Sequence, residues 1–179
     1  MRRNIVLIGM MGAGKTAIGT ELARRLSAPF IDIDAEIERA AAMTIPEIFA
    51  RDGEPFFRAR ESEVLARVLA GQPAIVSTGG GAWMRQENRE RISAQGVSVW
   101  LDCDLETLWH RVKLRPTRPL LQTADPRGTL ERLLNERNPV YALADIRVPA
   151  TRGCSIDATT TRVQEAIKAY DPEILEKLS

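Results

Sequence analysis

The segment Gly9–Thr16, with the sequence GMMGAGKT, matches the phosphate-binding pattern G-x-x-x-x-G-K-[ST]. Its glycines let the backbone curl so that several N–H groups point at one phosphate, and the N-terminus of the helix that follows adds its positive dipole end. Lys15 can reach the β- and γ-phosphates of a nucleoside triphosphate, and the Thr16 hydroxyl can ligate Mg²⁺. A chance glycine turn is the weaker interpretation, because a strand pattern precedes the loop and a helix pattern follows it.

Two carboxylates, Asp32 and Asp34, follow a second apolar run. Ligands of open parallel sheets bind beyond the carboxyl ends of the strands. Strand alternation would place both carboxylates on one side, where one could hold Mg²⁺ through water and the other could accept a proton or hydrogen bond from a substrate hydroxyl. Capping of the next helix is the alternative, but beside a phosphate loop we favour the ligand-binding role.

Three consecutive glycines, Gly79, Gly80 and Gly81, follow the third strand candidate. Without side chains, they allow a ligand to approach backbone amides closely. A tight turn that needs positive φ is the alternative, but one glycine would suffice for it. We therefore favour a ligand-binding role.

Arg58 lies three residues before Glu61, so the two side chains share a helix face. On an exposed helix such an ion pair contributes little, and it gains interest only if the helix faces a pocket. Arg137 ends a helix pattern, where a cation is favourable in any case, and the residues alone favour that structural role.

Arg118 lies in the proline-rich segment 113–128, with Arg111 and Arg115 just upstream. This is the one long segment with poor periodicity, and a loop of such length is usually functional or disordered. A mobile loop that carries arginine can close over phosphates and exclude water. A solvated arginine on a flexible loop is an equal alternative at this point.

The elements that must position these residues are strands that alternate with helices. This alternation predicts an α/β fold with a parallel sheet and helices on both faces. The strand candidates are Asn4–Ile8, Pro29–Asp32, Pro73–Ser77 and Val97–Leu101, with a fifth near either Ile146–Val148 or Cys154–Ile156.

Helix boundaries are marked by capping and breaking residues. Ile18, Leu22 and Leu26 predict one face of the first helix. The other signals are a capping box at Thr44–Glu47 before a short helix, Pro55 in the first turn of a longer helix ending near Gly71, a helix from about Gln86 stopped by Gly96, and a last helix starting at Thr161-x-x-Gln164.

The bulk composition excludes several classes of protein. The chain has 179 residues, enough for one domain, and its formal net charge of +1 gives no electrostatic case for a nucleic-acid or membrane partner. Cys103 and Cys154 match no metal or redox spacing, which predicts a reduced, cytoplasmic protein. The single histidine, His110, argues against a histidine-based triad or zinc site.

In order and spacing, the motifs together resemble those of the shikimate kinase family. The resemblance runs from about residue 3 to 170 and implies a nucleoside-monophosphate-kinase type of fold in one domain. That fold has a phosphate loop at 9–16, a five-stranded parallel sheet, a substrate-binding section at about 34–62 and a lid at about 113–128. The shared marks are GMMGAGKT at 9–16, Asp32-x-Asp34, Gly53-Glu54 with Phe57-Arg58 and Glu61, Gly79–Gly81, Arg118-Pro-Leu-Leu, and Glu136-Arg-Asn-Pro with Tyr141.

The resemblance implies ATP-dependent phosphorylation of the 3-hydroxyl of shikimate, with ATP as co-substrate and Mg²⁺ as cofactor. It assigns shikimate binding to Asp34, Arg58, Gly79, Gly80, Gly81 and Arg137. It assigns ATP binding to Gly12, Ala13, Gly14, Lys15, Thr16, Ala17, Arg111 and Arg118. The catalytic residues would be Lys15, Asp34 and Arg118, and Mg²⁺ would be held by Thr16 and, through water, by Asp32.

Shikimate suits these residues chemically, because its carboxylate fits a forked guanidinium and its ring hydroxyls fit Asp34. We expect a monomer whose only partner is this small molecule. A gluconate or nucleotide kinase of the same fold is the nearest alternative, and an inactive ATP-binding regulatory module is another. The segment 151–157 looks longer than the family's adenine-side loop, which leaves an ATP role for Arg152 open.

Overall fold

A computed structural model describes residues 1–115 and 118–176. Its centre is a five-stranded sheet in the order β2-β3-β1-β4-β5, and every neighbouring pair is parallel. The strands are β1 (Asn4–Ile8), β2 (Phe30–Asp32), β3 (Ile75–Ser77), β4 (Gly96–Asp102) and β5 (Ile146–Pro149). The α/β fold with a five-stranded parallel sheet is therefore confirmed.

Seven α-helices connect and cover these strands in the described chain. They are α1 (Lys15–Leu26), α2 (Ile33–Ala41), α3 (Ile45–Leu69), α4 (Gln86–Gln95), α5 (Leu105–Val112), α6 (Pro126–Tyr141) and α7 (Ile156–Tyr170). The crossover from β1 to β2 runs one way across the sheet and the later crossovers run the other way. Because such crossovers are right-handed, α1 covers one face and α2 to α6 the other.

The point where the crossover direction reverses lies at β1, between β3 and β4. Crevices at such a point, beyond the carboxyl ends of the strands, are the ligand sites of this kind of sheet. The phosphate loop follows β1 and the triple glycine follows β3. The topology therefore brings these two glycine-rich segments to one crevice.

Several predicted boundaries are confirmed. The fifth strand is the one near Ile146, whereas Cys154–Ile156 leads into α7. Both hydrogen bonds of the capping box form, from Glu47 N to Thr44 Oγ1 and from Thr44 N to Glu47 Oε2. Gly53, with φ 82°, interrupts α3 and separates the predicted short helix from the longer one.

Two predicted boundaries are wrong. The last α-helix begins at Ile156 and not at Thr161, because the Ser155 side chain already caps it by accepting from Ala158 N. The segment 113–128 is not irregular to its end, since α6 begins at Pro126 and the Asp125 side chain caps it. Within this segment, Pro116 and Thr117 lie outside the described residues, and Pro119–Leu121 forms one 3₁₀ turn.

Hydrophobic burial fixes the sheet in place, since Ile5, Val6, Leu7 and Ile8 of β1 are all fully buried.

Among the described residues, no helix is long and apolar enough to cross a membrane.

Candidate active site

The crevice holds a cavity of about 480 Å³. The cavity is lined by the phosphate loop and the start of α1, together with Asp32, Asp34 and the loop after β3. Arg111, Arg115 and Arg118 also border the cavity, as do Cys154, Ile156 and Thr159 near the N-terminus of α7. The predicted catalytic residues Lys15, Asp34 and Arg118 thus line one space, together with ATP-side residues 12–17.

The phosphate loop has the curled backbone that its glycines permit. Gly12 and Gly14 have φ of 82° and 96°, a region that side chains other than glycine rarely adopt. Gly14 directly precedes α1, so the N–H groups of the loop and those of the helix N-terminus lie next to each other, where they can bind one anion. The predicted strand–loop–helix context of the motif is confirmed.

Lys15 is buried and donates to the phosphate loop's own carbonyls. Its Nζ lies 2.7 Å from Gly9 O and 2.9 Å from Met10 O. Burial lowers the pKa of Lys15 to about 8, although Asp34 acts in the opposite direction. An anion bound in the cavity would offset the cost of burying this charged amine.

Asp32 both caps α2 and faces the phosphate loop, which are the two roles that its sequence position predicted. Its Oδ1 caps α2 by accepting from Asp34 N at 2.9 Å and Ala35 N at 3.2 Å. Its Oδ2 accepts from Thr16 Oγ1 at 3.1 Å, which brings the two predicted metal-binding oxygens together. The carboxylate is therefore held by the backbone on one side and faces the phosphate loop with the other.

The strand-alternation argument for Asp34 is wrong. β2 ends at Asp32, and Asp34 lies in the first turn of α2. It nevertheless lines the cavity with Asp32, and its buried Oδ1 has no hydrogen-bond partner in the described part of the chain. Burial, followed by the negative charges of Glu61 and Asp32, raises the pKa of Asp34 to about 6.

The ion pair of Arg58 and Glu61 is buried rather than exposed. Arg58 Nη1 donates to Glu61 Oε1 at 2.8 Å, and the Glu61 side chain is fully inaccessible. Glu54 makes a longer contact of 3.4 Å with Arg58 from the solvent side. The helix therefore faces the interior of the site, which was the condition for a functional interpretation of this pair.

The triple glycine leaves room for charged groups from three helices. A Cβ at Gly81 would lie 2.5 Å from Arg58 Nη2, and one at Gly80 would lie 3.0 Å from Arg137 Nη1. A Cβ at Gly79 would lie 2.8 Å from a Glu61 oxygen. Any larger residue would displace these side chains, so close packing accounts for three glycines in a row.

Arg137 does more than complement a helix end. It lies one turn before the end of α6 and is only 7% exposed. Its Nη1 is buried and has no hydrogen-bond partner among the described residues. The guanidinium is thus aimed at Gly80, on the side of the cavity that holds Asp34.

Two further arginines, Arg111 and Arg118, border the cavity that the phosphate loop lines. Arg111 Nη1 donates to Gly12 O at 2.9 Å. Arg118 has a buried Nε without a partner in the described chain, and burial lowers its pKa. Both positions are compatible with the predicted ATP-side roles.

The sequence did not predict the residues that support the site from behind, Tyr141 and Arg85. The Tyr141 hydroxyl donates to Gly80 O, and Arg85 Nη1 donates to Arg58 O at 3.0 Å. Tyr141 was part of the recognised pattern without a role, whereas no sequence signal separates Arg85 from other surface arginines. Arg152 is exposed and does not border the cavity.

Comparisons with known proteins give one consistent result. A family model described as shikimate kinase matches residues 11–168. The shikimate kinases of Cereibacter sphaeroides and Ruegeria pomeroyi are 57% and 54% identical over 176 residues, which is 98% of this chain and 87% and 90% of those proteins. A solved shikimate kinase from Acinetobacter baumannii in complex with shikimate has a TM-score of 0.84 and 36% identity, and the match covers 97% of this chain and 96% of that one.

Proposed function

The chain belongs to the shikimate kinase family, and we propose that the cavity beyond β1 and β3 is where its two substrates meet. The enzyme transfers the γ-phosphate of ATP to the 3-hydroxyl of shikimate, a step on the route to aromatic amino acids. The residue roles, the use of Mg²⁺ and the cellular setting given below belong to the proposal.

One observation carries the assignment of the cavity to this reaction. Buried polar atoms that have no hydrogen-bond partner among the described residues lie at the cavity or against the glycines that line it, namely Asp34 Oδ1, Glu61 Oε2, Arg118 Nε and Arg137 Nη1. Such atoms are costly unless a ligand satisfies them. Two acceptors and two cationic donors fit a pair of substrates that carry hydroxyl, phosphate and carboxylate groups.

At the acceptor end, Arg137 and Arg58 bind the shikimate carboxylate against Gly80 and Gly81. The free Nη1 of Arg137 supports this role, because a carboxylate would neutralise a guanidinium that has no ion-pair partner within the described chain. Arg58 already pairs with Glu61, so its charge is partly compensated and its geometry is fixed before shikimate arrives. Gly79 completes this wall.

Asp34 accepts a hydrogen bond from the reacting hydroxyl and orients it toward ATP. Its Oδ1 has no hydrogen-bond partner in the described chain, and its pKa of about 6 leaves it mainly ionised at neutral pH. A carboxylate whose pKa lies near the working pH can also take the proton of the hydroxyl as the phosphoryl group is transferred.

At the nucleotide end, residues 12–17 bind the phosphates through backbone N–H groups. Lys15 leaves the carbonyls of Gly9 and Met10 and contacts the β- and γ-phosphates. Arg118 donates to the transferring group from the opposite side, and Arg111 lies beside the nucleotide. Because phosphoryl transfer is catalysed mainly by alignment and charge neutralisation, these cations provide most of the rate enhancement.

The oxygens of Thr16 and Asp32 fit Mg²⁺ that arrives with ATP. No group of three or more metal-binding side chains occurs in the described residues, so the protein would supply only these two positions. Mg²⁺ commonly takes most of its ligands from phosphates and water. When bound, it would neutralise phosphate charge, with Thr16 as a direct ligand and Asp32 acting through water.

The remaining expectations concern the setting of the enzyme. We propose a cytoplasmic monomer with shikimate as its partner and no nucleic-acid or membrane partner. Both cysteines are free, with Cys103 buried, as a reducing compartment would keep them.

An ADP-release assay across a panel of acceptors tests the proposal. With Mg²⁺ present, shikimate should support turnover, whereas gluconate, nucleoside monophosphates and water should not. Chelation of Mg²⁺ should stop the reaction, and binding of ATP without turnover of any acceptor would instead support a regulatory module. Preferred turnover of gluconate or a nucleotide would overturn the assignment of the acceptor end.

A further inference from the structure

Tyr141 is a buried residue that touches several parts of the site without bordering the cavity. It is the last residue of α6, four positions after Arg137, so the two lie on the same helix face. Its ring is fully buried and stacks on Trp100, with a centroid distance of 5.9 Å and an interplanar angle of 26°. The ring is therefore held rigidly between α6 and the sheet.

The hydroxyl of Tyr141 connects three segments of the site. It donates to the carbonyl of Gly80 and lies 3.8 Å from the sulfur of Met10. Met10 in turn gives its carbonyl to Lys15 Nζ. The loop after β3, the phosphate loop and α6 thus meet at one phenolic oxygen.

Gly80 also lies close to Arg137 and to the phosphate loop, and it borders the cavity. A Cβ there would lie 3.0 Å from Arg137 Nη1 and 3.4 Å from Met11 N. Rotation of the Gly80 peptide would therefore change the space in front of Arg137. A glycine has no side chain to resist such rotation, so an external hydrogen bond must hold it.

The end of α6 also needs external support. Pro139 lies in its last turn and has no N–H to donate to the carbonyl of Asn135. Trp83 Nε1 donates to Val140 O at 2.8 Å, and the Tyr141 hydroxyl makes the second connection from this turn to the loop after β3. Both contacts bear on the helical turn that follows Arg137.

We propose that Tyr141 is a positioning residue for shikimate: its hydroxyl fixes the Gly80 peptide and the spacing between Gly80 and Arg137, so that the carboxylate meets a preformed site. The proposal rests on the proposed function, which places the carboxylate at Arg137. Tyr141 acts through these groups and does not touch the substrate. Its effect should appear in shikimate affinity, since the phosphate loop is held by its own hydrogen bonds.

The test is Tyr141→Phe, with Tyr170→Phe as the matched control because Tyr170 is exposed. Loss of the hydroxyl removes the hydrogen bond to the part-buried carbonyl of Gly80, and we expect the KM for shikimate to rise roughly tenfold. The KM for ATP and kcat should stay within about twofold, since neither the nucleotide contacts nor the reacting groups change. Calorimetric titration of shikimate should show the same loss.

A purely structural role would lower the melting temperature and leave the KM for shikimate unchanged, which would overturn the proposal. Trp83→Phe provides a second variant that keeps Tyr141 and removes the other support of this turn, and it should raise the same KM by a smaller factor. Arg137→Lys separates the proposed acceptor site at Arg137 from the proposed positioning role of Tyr141. If it leaves the KM for shikimate unchanged, the proposed acceptor site is wrong; if it raises KM while Tyr141→Phe and Trp83→Phe do not, only the positioning role fails.

Discussion

Asp34 and Glu61 reach the same point beside Gly79 from two different helices. A Cβ at Gly79 would lie 3.0 Å from Asp34 Oδ1 and 2.8 Å from Glu61 Oε2, and neither oxygen has a partner in the described chain. Burial raises the pKa of both carboxyl groups, and the charge of Glu61 raises that of Asp34 further. The substrate-binding helix α3 therefore affects the ionisation of the proposed acceptor of the hydroxyl proton.

The pH dependence of shikimate turnover should show this coupling. We expect kcat/KM to fall as the pH drops through about 6, where Asp34 becomes protonated. Glu61→Gln removes a like charge and leaves Arg58, which also lowers the pKa of Asp34, so the acid limb should move to lower pH. Rates measured over roughly pH 4.5 to 8.5 would show the shift. Glu63→Gln, on the exposed side of the same helix, is the control, and an unmoved limb in Glu61→Gln would contradict the coupling.

Asp34 should reduce the stability of the free enzyme. Its folded-state pKa of about 6 exceeds the ordinary 3.8, so folding favours the protonated form and ionisation opposes folding increasingly as the pH rises between these values. Two units correspond to about 3 kcal/mol. Asp34→Asn should therefore raise the melting temperature by roughly 6–12 °C at pH 7.5 while removing activity. The difference should shrink toward pH 4, and a variant that melts lower at every pH would refute the expectation.

Much of the fold followed from local patterns. Buried apolar runs and capping residues give β1, the phosphate loop and the Thr44 capping box, because these depend on neighbours in sequence. The start of α7 was misplaced because Ser155 and Thr161 both carry capping chemistry, and only the tertiary fold shows which one begins the helix. Asp34 was misassigned to a strand because β2 is only three residues long.

The sequence predicted which residues belong to the site better than it predicted their burial and their hydrogen-bond partners. Residue spacing could not show that Glu61 is fully buried or that Arg137 Nη1 has no hydrogen-bond partner in the described part of the chain, because both facts depend on contacts between α3, α6 and the loop after β3. The Tyr141–Gly80 hydrogen bond spans 61 residues and leaves no local signature. Long-range packing therefore decides which arginines are poised to bind substrate.

Arg58 and Arg137 should differ in their effects on stability. Arg58→Ala and Arg137→Ala should each raise the KM for shikimate far more than the KM for ATP, since each removes a carboxylate contact worth roughly 2–5 kcal/mol. Arg58→Ala should also lower the melting temperature, because it leaves buried Glu61 unpaired. Arg137→Ala removes a cation that has no ion-pair partner among the described residues, and it should not lower the melting temperature. Steady-state kinetics with thermal melts would check both; weakened ATP binding alone would show that the acceptor end is misplaced.

Lys15→Ala should abolish most turnover while the fold stays intact. Lys15 is the buried amine of the phosphate loop, and its contact strengthens as charge develops on the transferring phosphate. We expect kcat to fall at least about a hundredfold. Lys168→Ala, at an exposed position of α7, controls for loss of a positive charge. Near-normal kcat in a Lys15→Ala protein with unchanged circular dichroism would contradict the assignment of the loop.

Arg118 should act on the phosphates and not on the acceptor. Its buried Nε lacks a partner in the described chain, and it borders the cavity that the phosphate loop also lines. Arg118→Ala should lower kcat by about a hundredfold or more and leave shikimate affinity by calorimetry unchanged. Arg132→Ala is the control, because Arg132 is an exposed arginine of α6 that does not border the cavity.

Amide hydrogen exchange would test whether closure of the segment around Arg118 accompanies this role. A lid must be only marginally stable when open, so peptides covering residues 118–125 should exchange quickly in the free enzyme. A non-hydrolysable ATP analogue together with shikimate should slow that exchange, whereas the middle of α6, held by regular helical hydrogen bonds, should change little. Slow exchange that both ligands leave unchanged would identify a fixed loop. Arg118 would then contact phosphate from a preformed position, and its kinetic effect would have to arise without closure.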